Sequence, residues 1–315
     1  MKTINQFLIL LTVLISPLSF AEEAVWPETT FYRNVNVDGH KIFYREAGNP
    51  NNPTILFLHG YPSSSHMYRH LIPLLSGSFH VVVPDNLGSG YSDKPDPNKH
   101  PYTFDLLAKV MEGFVNKLNL KNYTVYMQDF GAPVGFRLMM KQPEHIKGVI
   151  AQNGNAYLEG LTPPRQEFFK QAHEDKSLEM FNKLYNFTGV EGIRDKQYLR
   201  DVKGKEEIMS PDSWTYDLHF LESKQQRLIQ VQLLQDYYSN LLAYPKWQAF
   251  LRKQQPPTLL VWGKNDPAFI SAGAKAYLKD VPKAELHLLD AGHFAMEEKP
   301  VEIAKHIMRF MSKYN

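Results

Sequence analysis

The chain has 315 residues, 43% of them hydrophobic and 22% charged, with a formal net charge of +2. That length fits one large α/β domain with an insertion, or two small domains, and the apolar share is enough for a sizeable core. Near-neutral charge and the lack of any Lys/Arg block argue against nucleic acid or an anionic membrane surface as a partner. With no cysteine, the chain has no disulfide, no thiol catalysis and no lipoprotein anchor. The 17 tyrosines suit a ring-lined pocket for a small apolar organic molecule.

Residues 1–21 read as a secretory leader. Lys2 gives a basic start, Phe7 to Leu18 is an apolar stretch, and Ser19-Phe20-Ala21 is a small-x-small cleavage pattern. The other reading is an uncleaved anchor, but the stretch falls short of the ~20 residues a spanning helix needs. Cleavage after Ala21 is therefore expected, with a periplasmic or secreted product and no stable membrane anchor.

Strand signals begin near residue 34, where Val35 to Val37 and Ile42 to Arg45 flank the turn pair Asp38-Gly39. Thr54 to Leu58 and His80 to Val83 are continuous apolar runs, as in strands buried on both faces. Met67 to Leu75 between them reads as helix. Thr103 to Leu118 has an N-capping threonine and apolar residues at helical spacing (Leu106, Leu107, Val110, Phe114, Val115, Leu118). Tyr123 to Met127 is a strand, Pro133 to Met140 a helix and Ile146 to Ala151 a strand. This alternation predicts a doubly wound, mostly parallel sheet.

Alternation then stops. Residues 155–250 carry helical signals without a clear strand, with expected breaks at Gly189 to Gly192 and Met209 to Asp212. It resumes with Thr258 to Trp262, Glu285 to Leu289 and a last helix from Val301 to Met311. The expected organisation is a core of 22–154 and 251–315 interrupted by a helical cap of 155–250.

Three loops carry the chemistry. Gln128-Asp129-Phe130-Gly131 follows a strand and precedes a helix, which sets Asp129 at a sharp turn on the carboxyl edge of the sheet. Gly131 is the small residue such an elbow needs, while Met127 stands where its strictest form has glycine. An aspartate there is commonly just a helix N-cap. Two further residues favour catalysis: Asp266, past the strand ending at Trp262, and His293, in the loop after Leu289. The order nucleophile, acid, histidine matches a hydrolytic triad of this architecture. His59-Gly60-Tyr61-Pro62 would supply an oxyanion hole, the backbone N–H of Tyr61 working beside that of Phe130. His59 reads as a buried hydrogen-bonding residue rather than a second base. Gly88-Ser89-Gly90 lacks elbow spacing, and Asn153 and Asn155, though after the right strand, are amides and cannot serve as the acid. No metal-ligand spacing occurs, so neither metal nor cofactor is expected.

A carboxylate is ionised at neutral pH and can displace at a saturated carbon, leaving an alkyl ester on Asp129. His293, oriented by Asp266, would then activate the water that hydrolyses this ester. His-Gly-Tyr-Pro at 59–62, Asp85-Asn86-Leu87-Gly88-Ser89-Gly90-Tyr91-Ser92, Gln128-Asp129-Phe130-Gly131 and Gly292-His293 resemble the epoxide hydrolase and haloalkane dehalogenase branch of the α/β-hydrolases. The resemblance spans nearly the whole mature chain and implies the α/β-hydrolase fold.

It also implies two alternative leaving-group devices. Haloalkane dehalogenases hold the halide with a tryptophan after the nucleophile and a second donor, a cap tryptophan or an asparagine after the His-Gly. Here Phe130 and Tyr61 occupy those loop positions and neither reproduces that donor pair, while Trp214 in the cap could supply one donor. Epoxide hydrolases protonate the epoxide oxygen with cap tyrosines. The segment Leu234 to Asn240 resembles the one that carries such a residue, leaving Tyr237 and Tyr238 as candidates, with Tyr185 a possible second. Epoxide hydrolysis is the expected activity and dehalogenation the alternative. A plain esterase fits poorly, since a carboxylate attacking an ester gives an anhydride. A non-catalytic binder would have no need of a complete triad.

Overall fold

The computed structural model describes residues 29–314. The expected leader at 1–21 lies outside the described residues. Eight strands form one sheet: β1 (Phe31–Val37), β2 (His40–Ala47), β3 (Thr54–Leu58), β4 (His80–Pro84), β5 (Tyr123–Gln128), β6 (Ile146–Gln152), β7 (Thr258–Gly263) and β8 (Glu285–Leu289). Their spatial order is β1-β2-β4-β3-β5-β6-β7-β8. β1 and β2 form the antiparallel hairpin, and Asp38 and Gly39 take the positive φ values of 51° and 88° that such a turn demands. β2 meets β4 antiparallel, and every pairing from β4 onward is parallel. β4, β5 and β7 are buried along their whole length, as expected of strands covered on both faces by helices.

Helix Phe104–Lys117 starts where its threonine cap requires, with Thr103 Oγ1 accepting from the Leu106 N–H at 3.1 Å. The helix expected over Met67 to Leu75 is instead two pieces, a 3₁₀ turn Ser65–Tyr68 and a short helix Leu71–Leu75. Pro73 has no N–H to give the Arg69 carbonyl, so the ladder cannot run through.

Between β6 and β7 the described chain is helical throughout. It contains helices Pro163–Glu174, Leu178–Phe187, Pro211–His219, Lys224–Asp236 and Tyr238–Gln254, with a wide π-helical segment Glu191–Tyr198. The break expected at Gly189 to Gly192 is present, with helix Leu178–Phe187 ending before Thr188-Gly189, while Gly192 itself lies inside the π-helical segment. A Cβ there would come within 1.9 Å of the Phe187 carbonyl oxygen, so this glycine permits close packing. Ser210, by contrast, does start a new helix as its N-cap.

Hydrogen bonds between side chain and backbone tie the cap to the core. Gln232 accepts from the Tyr102 N–H at 2.9 Å and Asp236 from the Phe104 N–H at 2.8 Å. Arg69 donates to Glu297 and, through its other nitrogen, to Ser213 of the cap at 3.0 Å.

Asp217, on helix Pro211–His219, is buried and accepts from the Tyr198 hydroxyl at 2.5 Å. Burial raises its pKa from 3.8 to about 7. The folded chain therefore holds this proton more tightly than the unfolded one. The resulting stabilisation is complete below pH 3.8 and disappears as pH rises through about 7. Asp217→Asn, fixed in the neutral form, is expected to flatten the fall in Tm between pH 5 and pH 8. Parallel Tm profiles for wild type and variant, measured by scanning fluorimetry, would refute this.

Candidate active site

The site assembles on the carboxyl edge of the sheet, where β5 meets its neighbours. β5 is buried to its last residue, and the chain then reverses at Asp129, whose φ of 48° lies in the left-handed region. Helix Gly131–Lys141 starts two residues later. A Cβ on Gly131 would sit 2.1 Å from the Leu58 carbonyl oxygen, so only glycine lets this turn close against β3.

The loop after β3 meets the turn from the other side. Tyr61 N–H donates to Asp129 Oδ1 at 2.6 Å, and the Phe130 N–H donates to the same carboxylate. Gly60 makes the approach possible: a Cβ there would lie 2.3 Å from Gln128 Oε1 and 2.4 Å from Asp129 Cβ. Both expected oxyanion donors thus converge on the expected nucleophile. His59 sits beneath them, its Nε2 accepting from the Asn86 N–H at 2.9 Å and its Nδ1 3.1 Å from the Gly60 carbonyl. Burial lowers its pKa, and it acts as a neutral strut.

His293, 2% exposed, connects the two acids. Its Nδ1 lies 2.7 Å from Asp266 Oδ2, and its Nε2 lies 3.7 Å from Asp129 Oδ2. With the proton on Nδ1 for Asp266, the Nε2 lone pair faces the nucleophile and meets the Gln128 amide nitrogen at 3.0 Å. Asn153, after β6, is no acid, but it serves one: its Nδ2 donates to Asp266 Oδ2 at 2.8 Å while its Oδ1 accepts from the Gly263 N–H at 2.9 Å. Asp266 Oδ1 accepts from the Ala268 N–H at 2.7 Å.

The cap also touches the triad. Arg200 lies 3.5 Å from Asp266 and pairs with Asp201, whose Oδ2 accepts from the His293 backbone N–H at 2.9 Å. These contacts shape the titration of the site. Burial raises the pKa of Asp129, against the opposing pull of His293 and the two N–H donors. For Asp266 burial acts in the same sense but is overcome by His293 and Arg200, leaving its pKa below the ordinary value. In His293 burial favours the neutral ring, yet the fields of Asp266 and Asp129 prevail and its pKa is raised.

Above Asp129 is a small cavity of about 30 Å³, walled by rings that include Phe168, Phe169, Phe187 and Phe269. Tyr237 belongs to this wall. Its ring lies 4.1 Å from Phe169 and 5.6 Å from Phe130, and its hydroxyl is hydrogen-bonded to Tyr244. Tyr238 points elsewhere, half-buried beside His173 and not among the cavity residues. Tyr185 is likewise absent from the cavity and lies under the Arg227 guanidinium at 3.7 Å. Trp214 lines a separate, open hollow of about 980 Å³ on the cap that includes no triad residue. Arg165 and Gln197 also line the cavity. Sequence reading passed over both, because each is one polar residue on a helix with no motif around it. Gln128 and the Arg200-Asp201 pair were equally unmarked.

A family model for the alpha/beta hydrolase fold matches residues 53–300. The chain belongs to this family. A protein of Saccharomyces cerevisiae known as a hydrolase is 40% identical over 88% of this chain and 95% of its own length. The haloalkane dehalogenase DbeA of Bradyrhizobium elkani superposes with a TM-score of 0.74 at 19% identity, covering 91% of this chain and 99% of its own. The epoxide hydrolase CorEH gives 0.72 at 19% identity, with 91% and 100% coverage. At 19% identity, these two structures share the fold of the chain.

Because Gly60 sets the distance from the Tyr61 N–H to Asp129, Gly60→Ala must displace one or the other. The expected result is a loss of roughly hundredfold in kcat, the scale of one misplaced oxyanion donor, with the circular dichroism spectrum retained. Steady-state kinetics on the best substrate check it, and unchanged kcat would contradict the assignment of the Tyr61 N–H.

Proposed function

We propose that this hydrolase opens small epoxides to diols through a covalent ester on Asp129. The observation that carries this reading is Tyr237. It is a hydroxyl donor in the wall of the cavity over Asp129, and no tryptophan lines that cavity to hold a halide.

The reaction follows from which oxygens are free. Oδ1 of Asp129 accepts from the Tyr61 N–H, while Oδ2 faces His293 and is the attacking atom. Oδ2 forms a bond to an epoxide carbon as the C–O bond of the ring breaks. The departing oxygen takes the proton of Tyr237, whose hydroxyl otherwise donates to Tyr244. The product is an alkyl ester whose carbonyl oxygen is Oδ1, already held by the Tyr61 N–H. Water then attacks the carbonyl carbon while His293 Nε2 takes its proton, and the imidazolium is stabilised by Asp266. Negative charge gathers on Oδ1, where the Tyr61 and Phe130 N–H groups meet it. Collapse expels the diol oxygen, which recovers a proton from His293, and leaves Asp129 as the carboxylic acid. Asp129 then releases one proton and Tyr237 regains one, so the cycle closes with no net proton change.

Two steps that depend on different residues make the scheme testable. Asp129→Asn is expected to lower turnover by about 10⁴-fold or more, as loss of a covalent nucleophile does. His293→Gln should still be alkylated and gain the mass of one epoxide molecule. Tyr237→Phe should slow alkylation roughly hundredfold. Diol formation across a small epoxide panel, without halide release from a haloalkane panel, is the supporting outcome. Halide release with no diol would establish dehalogenation instead.

The raised pKa of His293 gives a pH test. Nε2 must be neutral to accept the water proton, so ester hydrolysis should weaken as pH falls through a midpoint above the usual imidazole value. Alkyl-enzyme detected by mass spectrometry after acid quench should then accumulate on the acid side. Accumulation on the alkaline side would exclude His293 as the base.

A further inference from the structure

Among the described residues, the buried and half-buried arginines other than Arg165 each donate to a polar partner. Arg69 pairs with Glu297, Arg137 with Asp105 and Arg200 with Asp201, while Arg45 donates to Ser65 and Arg227 to Thr188 and the Tyr185 carbonyl. Arg165, near the start of helix Pro163–Glu174, has no such partner. It lines the cavity over Asp129, it is half-buried, and among the described residues no carboxylate lies within 4.0 Å of its guanidinium. Its one contact with another side chain of note is the face of Phe169, 6.0 Å away. Burial and the neighbouring Arg200 act to lower its pKa, the more distant carboxylates of Asp266 and Asp129 act to raise it, and the guanidinium stays charged at any working pH.

An unpaired cation among aromatic rings is held in an unfavourable place. Five N–H donors on a rigid fork face a cavity whose other walls are largely apolar, and such a fork matches a carboxylate. The cavity is also small, about 30 Å³, which favours a short chain. We propose that Arg165 is the receptor for a substrate carboxylate, so that the enzyme acts on short epoxy acids in preference to neutral epoxides. The inference rests on the reading of the site as an epoxide-opening one, and it changes the substrate class from apolar to anionic. It also answers an electrostatic difficulty. An anionic substrate beside ionised Asp129 would be repelled, and Arg165 supplies the compensating charge within the same cavity.

The test compares oxirane-2-carboxylate with its amide, which has the same shape and no charge. The wild-type enzyme is expected to show at least about a tenfold higher kcat/KM for the acid, the scale of one charge-assisted pair. In Arg165→Met the acid-to-amide ratio should collapse toward one, and Arg165→Lys should recover part of it, chiefly through KM. A ratio near one in the wild type, or a ratio unchanged in Arg165→Met, overturns the proposal. Calorimetric titration with propanoate and propanamide needs no turnover. If neither epoxide is opened but propanoate binds tighter than propanamide and loses that advantage in Arg165→Met, the anion site stands and the epoxide reading falls. If propanoate gains nothing over propanamide, the anion site falls whatever the enzyme does to epoxides.

Discussion

The contact between the loop after β3 and the turn after β5 governs the rest of the site. The Tyr61 N–H reaches Asp129 Oδ1 at 2.6 Å only because Gly60 has no side chain and Asp129 accepts a φ of 48°. Left-handed backbone at a non-glycine residue costs about 1–3 kcal/mol. A hydrogen bond to a charged group contributes about 1.5–3 kcal/mol, so the two N–H donors on one carboxylate can offset the strain. The same contact divides the labour of the carboxylate. One oxygen is committed to backbone donors, the other faces the histidine, and the division holds before any substrate arrives.

Charge in the site is arranged in two tiers. Around the triad, Asp266, Asp201 and Arg200 form a closed set: Arg200 bridges both acids, and Asp201 holds the backbone of His293. Negative charge behind the imidazole raises its affinity for a proton, and His293, with Arg200 behind it, holds the buried Asp266 in its ionised form. Because Arg200 and Asp201 come from the cap, the cap is part of the machinery that orients the base as well as a cover over the nucleophile. Over the nucleophile the balance is open, with Arg165 unmatched.

What could be read from the sequence follows from what sequence order preserves. Asp129, Asp266 and His293 each follow a strand of the parallel sheet, and parallel strands deliver their following loops to one edge, so chain order alone brings the three together. The Tyr61 and Phe130 donors are backbone groups adjacent to recognisable loops and were equally legible. The cap offered no such rule. Tyr237 and Tyr238 are neighbours in sequence, and only the angle of helix Lys224–Asp236 against the core turns the first into the cavity and the second toward His173. Arg165 is one of 35 basic residues, and nothing near it distinguishes a surface charge from a buried one. A local error has a local cause: Pro73 divided an expected helix.

This difference between core and cap is physical as well as informational. The sheet edge fixes a reaction whose charges develop at defined atoms, and small displacements there are penalised directly in rate. The cap meets the same atoms through side chains on helices whose spacing is set by packing among themselves, as with Tyr237 against Phe169 and Tyr244. Changing a cap residue such as Arg165 therefore alters what is admitted without moving Asp129, Asp266 or the two N–H donors. A residue such as Asp201 behaves differently, since it belongs to the cap by chain position and to the triad by contact. On this basis substrate preference in the molecule is separable from its chemistry along helix Pro163–Glu174, and is coupled to it at the segment that carries Arg200 and Asp201.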